Sequence, residues 1–190
     1  ICLLLDAYTT LRNSKRRVNE ESENNLTAQL FGFMKKSQLR LDLQISLTRE
    51  SYLDSDETYN GLQDADKSPR IDIKYSAWNS NIETEYYMEA KNLSENNWTK
   101  NSTATIVDAH KLRKRYIETG MANFTNGRYM SGCLLGYVLE GNSHKIVELI
   151  NKILITGNRA KEILVNEPSN NVSHRYYSKH DRTSSPVLKH

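Results

Sequence analysis

The alternation of apolar and polar residues is strictest at Leu39, Leu41, Leu43, Ile45 and Leu47, with Arg40, Asp42, Gln44 and Ser46 between them. A period of two predicts a strand there, because successive side chains of a strand face opposite ways. Before it, from about Ala7 to Lys36, the pattern is helical. Val18, Leu26, Leu30, Phe31, Phe33 and Met34 supply an apolar side only towards the end, after the acids Glu20, Glu21 and Glu23. Ser22-Glu-Asn-Asn25 predicts a break between two helices. Residues 48–68 form an acidic, turn-rich connection, long enough to suggest an active-site flap or an irregular excursion.

Two short strands are predicted next, Arg70-Ile-Asp-Ile-Lys-Tyr75 and Glu85-Tyr-Tyr-Met-Glu-Ala-Lys91, with Asn79-Ser-Asn81 as the hairpin turn. Residues 92–104 read as a polar loop. Ile106 to Gly120 reads as a helix with Ala109, Leu112 and Tyr116 on one side and Gly120 as its stop. After a Gly127-Arg-Tyr129 turn, Cys133 to Leu139 reads as a buried strand. Asn142 or Ser143 can cap a last amphipathic helix bearing Ile146, Val147, Ile150, Ile153 and Leu154. The order helix, three strands, helix, strand, helix predicts an α/β fold with a mixed sheet flanked by helices. Residues 1–166 are expected to form one domain, and 167–190 a polar basic tail with room for an extra edge strand. His174-Arg-Tyr-Tyr177 and Val187-Leu188 are the short elements the tail could form.

Composition narrows the classes. Of 190 residues, 37% are hydrophobic and 26% charged, which suits a globular chain with a sizeable core. No apolar run has the length of a membrane span. Cys2 and Cys133 make no disulfide framework, in keeping with a reducing compartment. Six Asn-x-Ser/Thr triplets, at Asn25, Asn92, Asn97, Asn101, Asn123 and Asn171, fit an Asn-rich composition more simply than glycosylation, so a bacterial cytoplasmic protein is expected. The chain lacks an initiator Met, as expected if sequence continues upstream. The net charge of +3 is small, yet acid concentrates between Asp54 and Asp66 and base between Lys111 and Arg115 and in the tail. That asymmetry is compatible with a polyanion partner.

The chemistry lies in the two short strands. Alternation puts Glu85, Tyr87, Glu89 and Lys91 on one face, with Glu89 and Lys91 about 6.5–7 Å apart along the strand. A carboxylate there can hold Mg²⁺ while the lysine orients a water as an ammonium or deprotonates it as a neutral amine. Asp72 on the paired strand offers a second ligand and the Ala90 carbonyl another oxygen, a sparse set of the kind Mg²⁺ accepts. The competing interpretation is a solvated ion-pair ladder of Glu85, Glu89 and Lys91. Asp72-Ile-Lys74 is a rival acid-x-Lys triplet without a strand-borne aspartate before it. Zinc spacing, a glycine-rich phosphate loop and a Ser-His-Asp arrangement cannot be assembled.

Pro69-Arg-Ile-Asp72, where two residues separate proline from aspartate, followed by Glu89-Ala-Lys91, resembles the PD-(D/E)XK nuclease superfamily. The resemblance covers about Asn19 to Gly141. It implies a restriction-endonuclease-like α-β-β-β-α-β core, Mg²⁺ dependence with Mn²⁺ as substitute, and hydrolysis of phosphodiester bonds, DNA favoured. The segment Arg115 to Phe124, with Gly127-Arg-Tyr129 and Leu135-Gly-Tyr137, is similar to bacterial members of that group. Many members carry a glutamate on the first helix that reaches the metal. Glu23 is the expected residue, with Glu20 second and a plain helix-dipole role for these acids as the alternative.

Lys111, Arg113, Lys114 and Arg115 are the expected contacts to backbone phosphates, with solvated pairing to Asp108 and Glu118 as the alternative. Arg113 and His110 lie nearer the packed side of their helix and could reach the site. Trp98 could stack on a base, but is more readily an anchor for its own loop. A homodimer is compatible with cutting both strands of a duplex. A catalytically inactive nuclease-fold module that binds nucleic acid or a partner subunit is the alternative function.

Overall fold

The computed structural model describes residues 2–14, 18–79, 81–129, 131–167, 175–180 and 187–189. Ser80 of the expected turn and His174 of the expected tail element lie outside them. The protein is a mixed α/β chain whose residues fall into two compact units, 1–15 with 27–89, and 16–26 with 90–190.

The first unit holds α1 (Cys2–Asn13), most of α2 (Glu23–Lys36), α3 (Gln38–Asp42), β1 (Ser46–Tyr52), α4 (Asp56–Tyr59), β2 (Arg70–Asn79) and β3 (Ile82–Ser94) as far as Glu89. Helix α1 buries Leu3, Ala7 and Leu11, one residue per turn on one stripe, and α2 buries Leu30 and Met34. Ile71 and Ile73 of β2 and Met88 of β3 are also within 2% of full burial. Each such side chain contributes about 1.5–3 kcal/mol relative to exposure. Strands β1, β2 and β3 form an antiparallel ladder, with Arg49 beside Ile73 and Ile73 beside Met88.

The strand expected over 39–47 begins later. Leu39 to Asp42 are helical, Gln44 adopts a left-handed φ of 52°, and pairing starts at Ser46. Local bonds explain this. The N–H groups of Leu43, Gln44 and Ile45 donate to the carbonyls of Leu39, Leu41 and Arg40, using donors that a strand would present to a neighbour. The Arg40 guanidinium donates to the Lys35 and Ile45 carbonyls, tying the end of α2 to the start of β1. Leu41 and Leu43 stay exposed.

The second unit begins with the N-terminal turn of α2, where Ser22 Oγ accepts from the Asn25 N–H, and with β3 from Ala90 onward. It continues through β4 (Trp98–Thr99), β5 (Ile106–Val107), α5 (Ala109–Arg115), α6 (Ala122–Thr125), β6 (Gly132–Glu140), α7 (Ser143–Thr156), β7 (Val165–Asn166), β8 (Tyr176–Lys179) and β9 (Val187–Lys189). Its strands neighbour one another in the order β3, β6, β9, β8, β7, with β6 and β9 parallel and β7, β8 and β9 antiparallel. The segment expected as a tail therefore supplies β8 and β9.

Asn142 caps α7, its Oδ1 accepting from the N–H groups of His144 and Lys145. Gly120 does not stop its helix. Residues Tyr116–Met121 form a π-helical turn that joins α5 to α6, and the Ala122 N–H donates to the Ile117 carbonyl. The hydrophobic side of this helix, with Ala109, Tyr116, Ile117, Met121 and Phe124 buried, supplies much of the second unit's core.

Candidate active site

In the first unit, the β2–β3 ladder fixes the two candidate carboxylates. Ile73 pairs with Met88, and Asp72 and Glu89 are the next residues along each strand. Residues opposite one another in an antiparallel pair share a face of the sheet. Glu89 is buried and Asp72 half-buried. Across β2 on the other side, the β1 residue between the Arg49–Ile73 and Ser51–Ile71 pairs is Glu50, with a φ of 52° that a non-glycine residue adopts at a cost of about 1 kcal/mol or more. Its carboxylate sits 3.0 Å from Arg49 and 3.9 Å from Arg70.

Further along the same face, Glu85 is ion-paired with Lys74 and accepts from the Tyr87 hydroxyl. Partial burial pushes the Tyr87 phenol well above its ordinary pKa, and the Glu85 carboxylate adds to the shift, so it stays protonated as a donor.

In the second unit, the Lys91 side chain is 7% exposed. Its Nζ donates to the Ala90 carbonyl at 2.8 Å and to Glu23 Oε1 at 3.4 Å. Glu23 Oε2 accepts from the Asn92 N–H at 2.9 Å, and Arg115 Nη2 lies 3.7 Å from Oε1. Glu23 and Lys91, 68 positions apart in sequence, are thus brought together. Their relation differs from the expected one: the Glu23 carboxylate and the Ala90 carbonyl, both expected as oxygens for a metal, accept from the ammonium. A cation that costs several kcal/mol to desolvate needs such acceptors.

Glu20 has a separate task. Its carboxylate accepts from the N–H groups of Asn101 and Ser102 and from Ser102 Oγ, and Lys100 Nζ donates to the Glu20 carbonyl. These bonds, led by the Ser102 hydroxyl, hold the Glu20 carboxyl below its ordinary range. Glu20 therefore latches the loop that follows β4.

The four basic residues of α5 divide. Arg113 is buried, and its Nη1 donates to the Ser94 and Glu95 carbonyls at 2.6 and 2.8 Å, fastening the helix to the end of β3. Lys111 and Lys114 are exposed, Lys114 lying 3.4 Å from Glu118, while half-exposed Arg115 turns towards Glu23. His110, expected nearer the packed side, is exposed. Trp98 is half-buried in β4, the position of a loop anchor.

One constellation was missed in sequence. Ser178 Oγ lies 2.7 Å from His180 Nε2, and His180 Nδ1 lies 2.7 Å from Glu162 Oε2. Arg159 holds Glu162 through two further bonds and draws its pKa down. The bonding order is that of a nucleophile, a base and an orienting acid. Ser178 is wholly buried, however, so no substrate carbonyl reaches its hydroxyl. The chain of bonds ties β8 to the turn before β7. Ser178 and His180 share a strand face by their spacing of two, but no local pattern announces Glu162.

Among the described residues, no three histidine, cysteine, aspartate or glutamate side chains gather as a metal-binding group. None of their helices is long and apolar enough to cross a membrane. No family model, curated protein or solved structure matches the chain.

Proposed function

We propose that this chain is a metal-dependent nuclease of the PD-(D/E)XK type, with a restriction-endonuclease-like core, that hydrolyses phosphodiester bonds of nucleic acid, DNA favoured. The observation that carries the reading is Lys91. It is a buried ammonium held by a carboxylate and a carbonyl, two residues along one strand from Glu89. Burying an ammonium is costly to the fold unless acceptors hold it, and Glu23 and the Ala90 carbonyl are those acceptors here. The chain order α2, β1, β2, β3, α5, β6, α7 supports the same core.

The donor set suits Mg²⁺, which takes one or two protein carboxylates and completes its shell with waters and phosphate oxygens. Asp72 and Glu89 would hold the ion, and Mn²⁺ would substitute. When bound, the ion supplies Lewis-acid charge to the phosphoryl oxygens. Lys91, held by Ala90 O and Glu23, would supply the ammonium that orients the attacking water or steadies charge on the phosphate. Glu23, engaged with Lys91 and Asn92, serves the ammonium. Exposed Lys111 and Lys114 would contact backbone phosphates, contacts that position a strand without reading its sequence.

The burial of Glu89 and Lys91 also favours a second reading, a catalytically inactive module of the same fold that binds nucleic acid or a partner subunit. Plasmid cleavage in Mg²⁺ and in Mn²⁺ separates the two. Wild type is expected to cut, EDTA to stop it, and Asp72→Asn and Glu89→Gln to lose activity by about a thousandfold, the scale of removing charge stabilisation at a reacting phosphate. Salt-sensitive binding without cutting would establish the inactive module. Neither cutting nor binding would leave a structural subunit.

A further inference from the structure

Helices α5 and α7 of the second unit pack on one another and leave a pocket of about 270 Å³ between them. His110 and Arg113 line it from α5, and Leu149, Lys152, Ile153 and Thr156 from α7. Spacings of three and four place each set on one face of its helix. The pocket is smaller than most small-molecule sites and suits a compact ion. Its lining holds three nitrogen donors and no carboxylate among the described residues.

Arg113 sets the sign of the pocket. It is 7% exposed, and its Nη1 is engaged by the Ser94 and Glu95 carbonyls, which carry no charge. Its Nε is buried without an acceptor among the described residues, and no carboxylate of theirs forms an ion pair with it. Asp108 and Glu95 act on it only from further off, and both are engaged elsewhere. Asp108 Oδ1 accepts from the Lys111 N–H, while the Glu95 carboxylate accepts from the Asn142 N–H and lies 3.6 Å from Lys145. A guanidinium does not shed its proton, so a buried charge is left without a counter-ion, which is costly. Exposed Lys152 adds a second positive charge to the same pocket, and exposed His110 adds a ring N–H in either neutral tautomer. Thr156 adds no donor, because its hydroxyl is directed to the Lys152 and Ile153 carbonyls.

We propose that the pocket between α5 and α7 binds a phosphate group. Arg113 supplies the fixed charge, and Lys152 and His110 donate to the oxygens from the two helices. Donors converging from two sides match an anion with several oxygens on one centre. Free phosphate, a phosphomonoester and a nucleic-acid backbone all present that chemistry. The proposal stands apart from the nuclease reading, since Asp72, Glu89, Lys91 and Glu23 do not line the pocket.

The test titrates inorganic phosphate into the full chain at constant ionic strength, followed by amide NMR, for wild type, Lys152→Gln, His110→Ala and Lys161→Gln. Lys161 is the control, an exposed lysine on the turn before β7 and outside the pocket. Arg113 is left in place because it fastens α5 to the end of β3. Wild type is expected to saturate, with shifts centred on positions 110, 113 and 149–156. Lys152→Gln should weaken binding about tenfold and His110→Ala about threefold, the scales of a charged and a neutral hydrogen bond. Lys161→Gln should stay within about twofold, since a distant surface charge is screened. Shifts that do not saturate, or equal weakening by Lys152→Gln and Lys161→Gln, overturn the proposal.

A DNA duplex in EDTA then identifies the source of the phosphate. Weaker DNA binding in Lys152→Gln than in Lys161→Gln assigns the pocket to a backbone phosphate. Loss of phosphate binding alone assigns it to free phosphate or a phosphomonoester, and either result upholds the site. A protein that binds phosphate here and cuts no DNA also upholds it and removes only the nuclease reading.

Discussion

Two strands of this protein carry the same short phrase, an acid, an aliphatic residue and a lysine: Asp72-Ile73-Lys74 on β2 and Glu89-Ala90-Lys91 on β3. The structure treats them differently. Lys74 pairs with Glu85 across the ladder, with side chains 24% and 32% exposed, and Tyr87 completes the group. Lys91 is 7% exposed and is gripped by the carboxylate of a residue on the α2 N-terminal turn and by a carbonyl of its own strand. A pair open to water gains little and is screened by salt, whereas a buried ammonium must find acceptors or lose its charge. Burial and partner, more than the triplet itself, set the second lysine apart, and the proposed function casts it as the one that takes part in chemistry.

The widest separation between the two is expected in cleavage. Lys91→Ala should reduce kcat about a thousandfold or more, and Lys74→Ala should stay within about twofold of wild type, because only an ammonium near the reacting phosphate stabilises developing charge. Initial rates at saturating DNA and Mg²⁺ measure this. Equal losses for both would break the distinction and return Lys91 to the class of ordinary ion pairs.

That distinction was only half visible in the sequence. Period-two spacing put Glu89 and Lys91 on one face of a strand, and the acidic start of α2 pointed to Glu23; the structure brings Glu23 to Lys91. What Glu23 does there was hidden, because a carboxylate's role depends on which donors reach it, and those donors come from Asn92 and Arg115. Arg113 was hidden for a similar reason. Its spacing matches that of a phosphate-binding row, yet its guanidinium closes on the carbonyls of Ser94 and Glu95. The leucine alternation at 39–47 misled because Arg40 and three local N–H bonds stabilise a helical turn that side-chain polarity does not encode. The π turn had no signature beyond a glycine, whose close approach to the Leu134 side chain joins segments distant in sequence.

Replacing the carboxylate partners comes next in size. Glu23→Gln keeps an oxygen for the Asn92 N–H but removes the charge that Lys91 and Arg115 face. It should lower kcat about tenfold and cost about 1.5–3 kcal/mol of stability, the range for a hydrogen bond to a charged group. Raising Mg²⁺ should not restore its rate, because the residue serves the ammonium. Recovery at high Mg²⁺ would instead assign Glu23 to the metal, as the sequence resemblance implied. Titrations of rate against Mg²⁺, beside urea melts of the same variant, read both effects.

The smallest effect belongs to Glu85, and pH makes it legible. Partial burial acts to raise its pKa, but the hydrogen bonds from Lys74 and Tyr87 and the charge of Lys74 outweigh it, leaving the carboxyl below its ordinary value of 4.5. A depressed carboxylate stabilises the fold fully above its unfolded pKa, and that contribution fades as pH falls through the folded one. Glu85→Gln should therefore cost about 0.5 kcal/mol at pH 7, the scale of a solvated pair. Below about pH 4.5 the gap from wild type should shrink steadily as Glu85 takes up a proton. Urea melts of both proteins from pH 7 downward measure it. A gap that widens on acidification would mean that burial governs Glu85 after all, and the contrast between an open pair at Lys74 and an enclosed one at Lys91 would lose its footing.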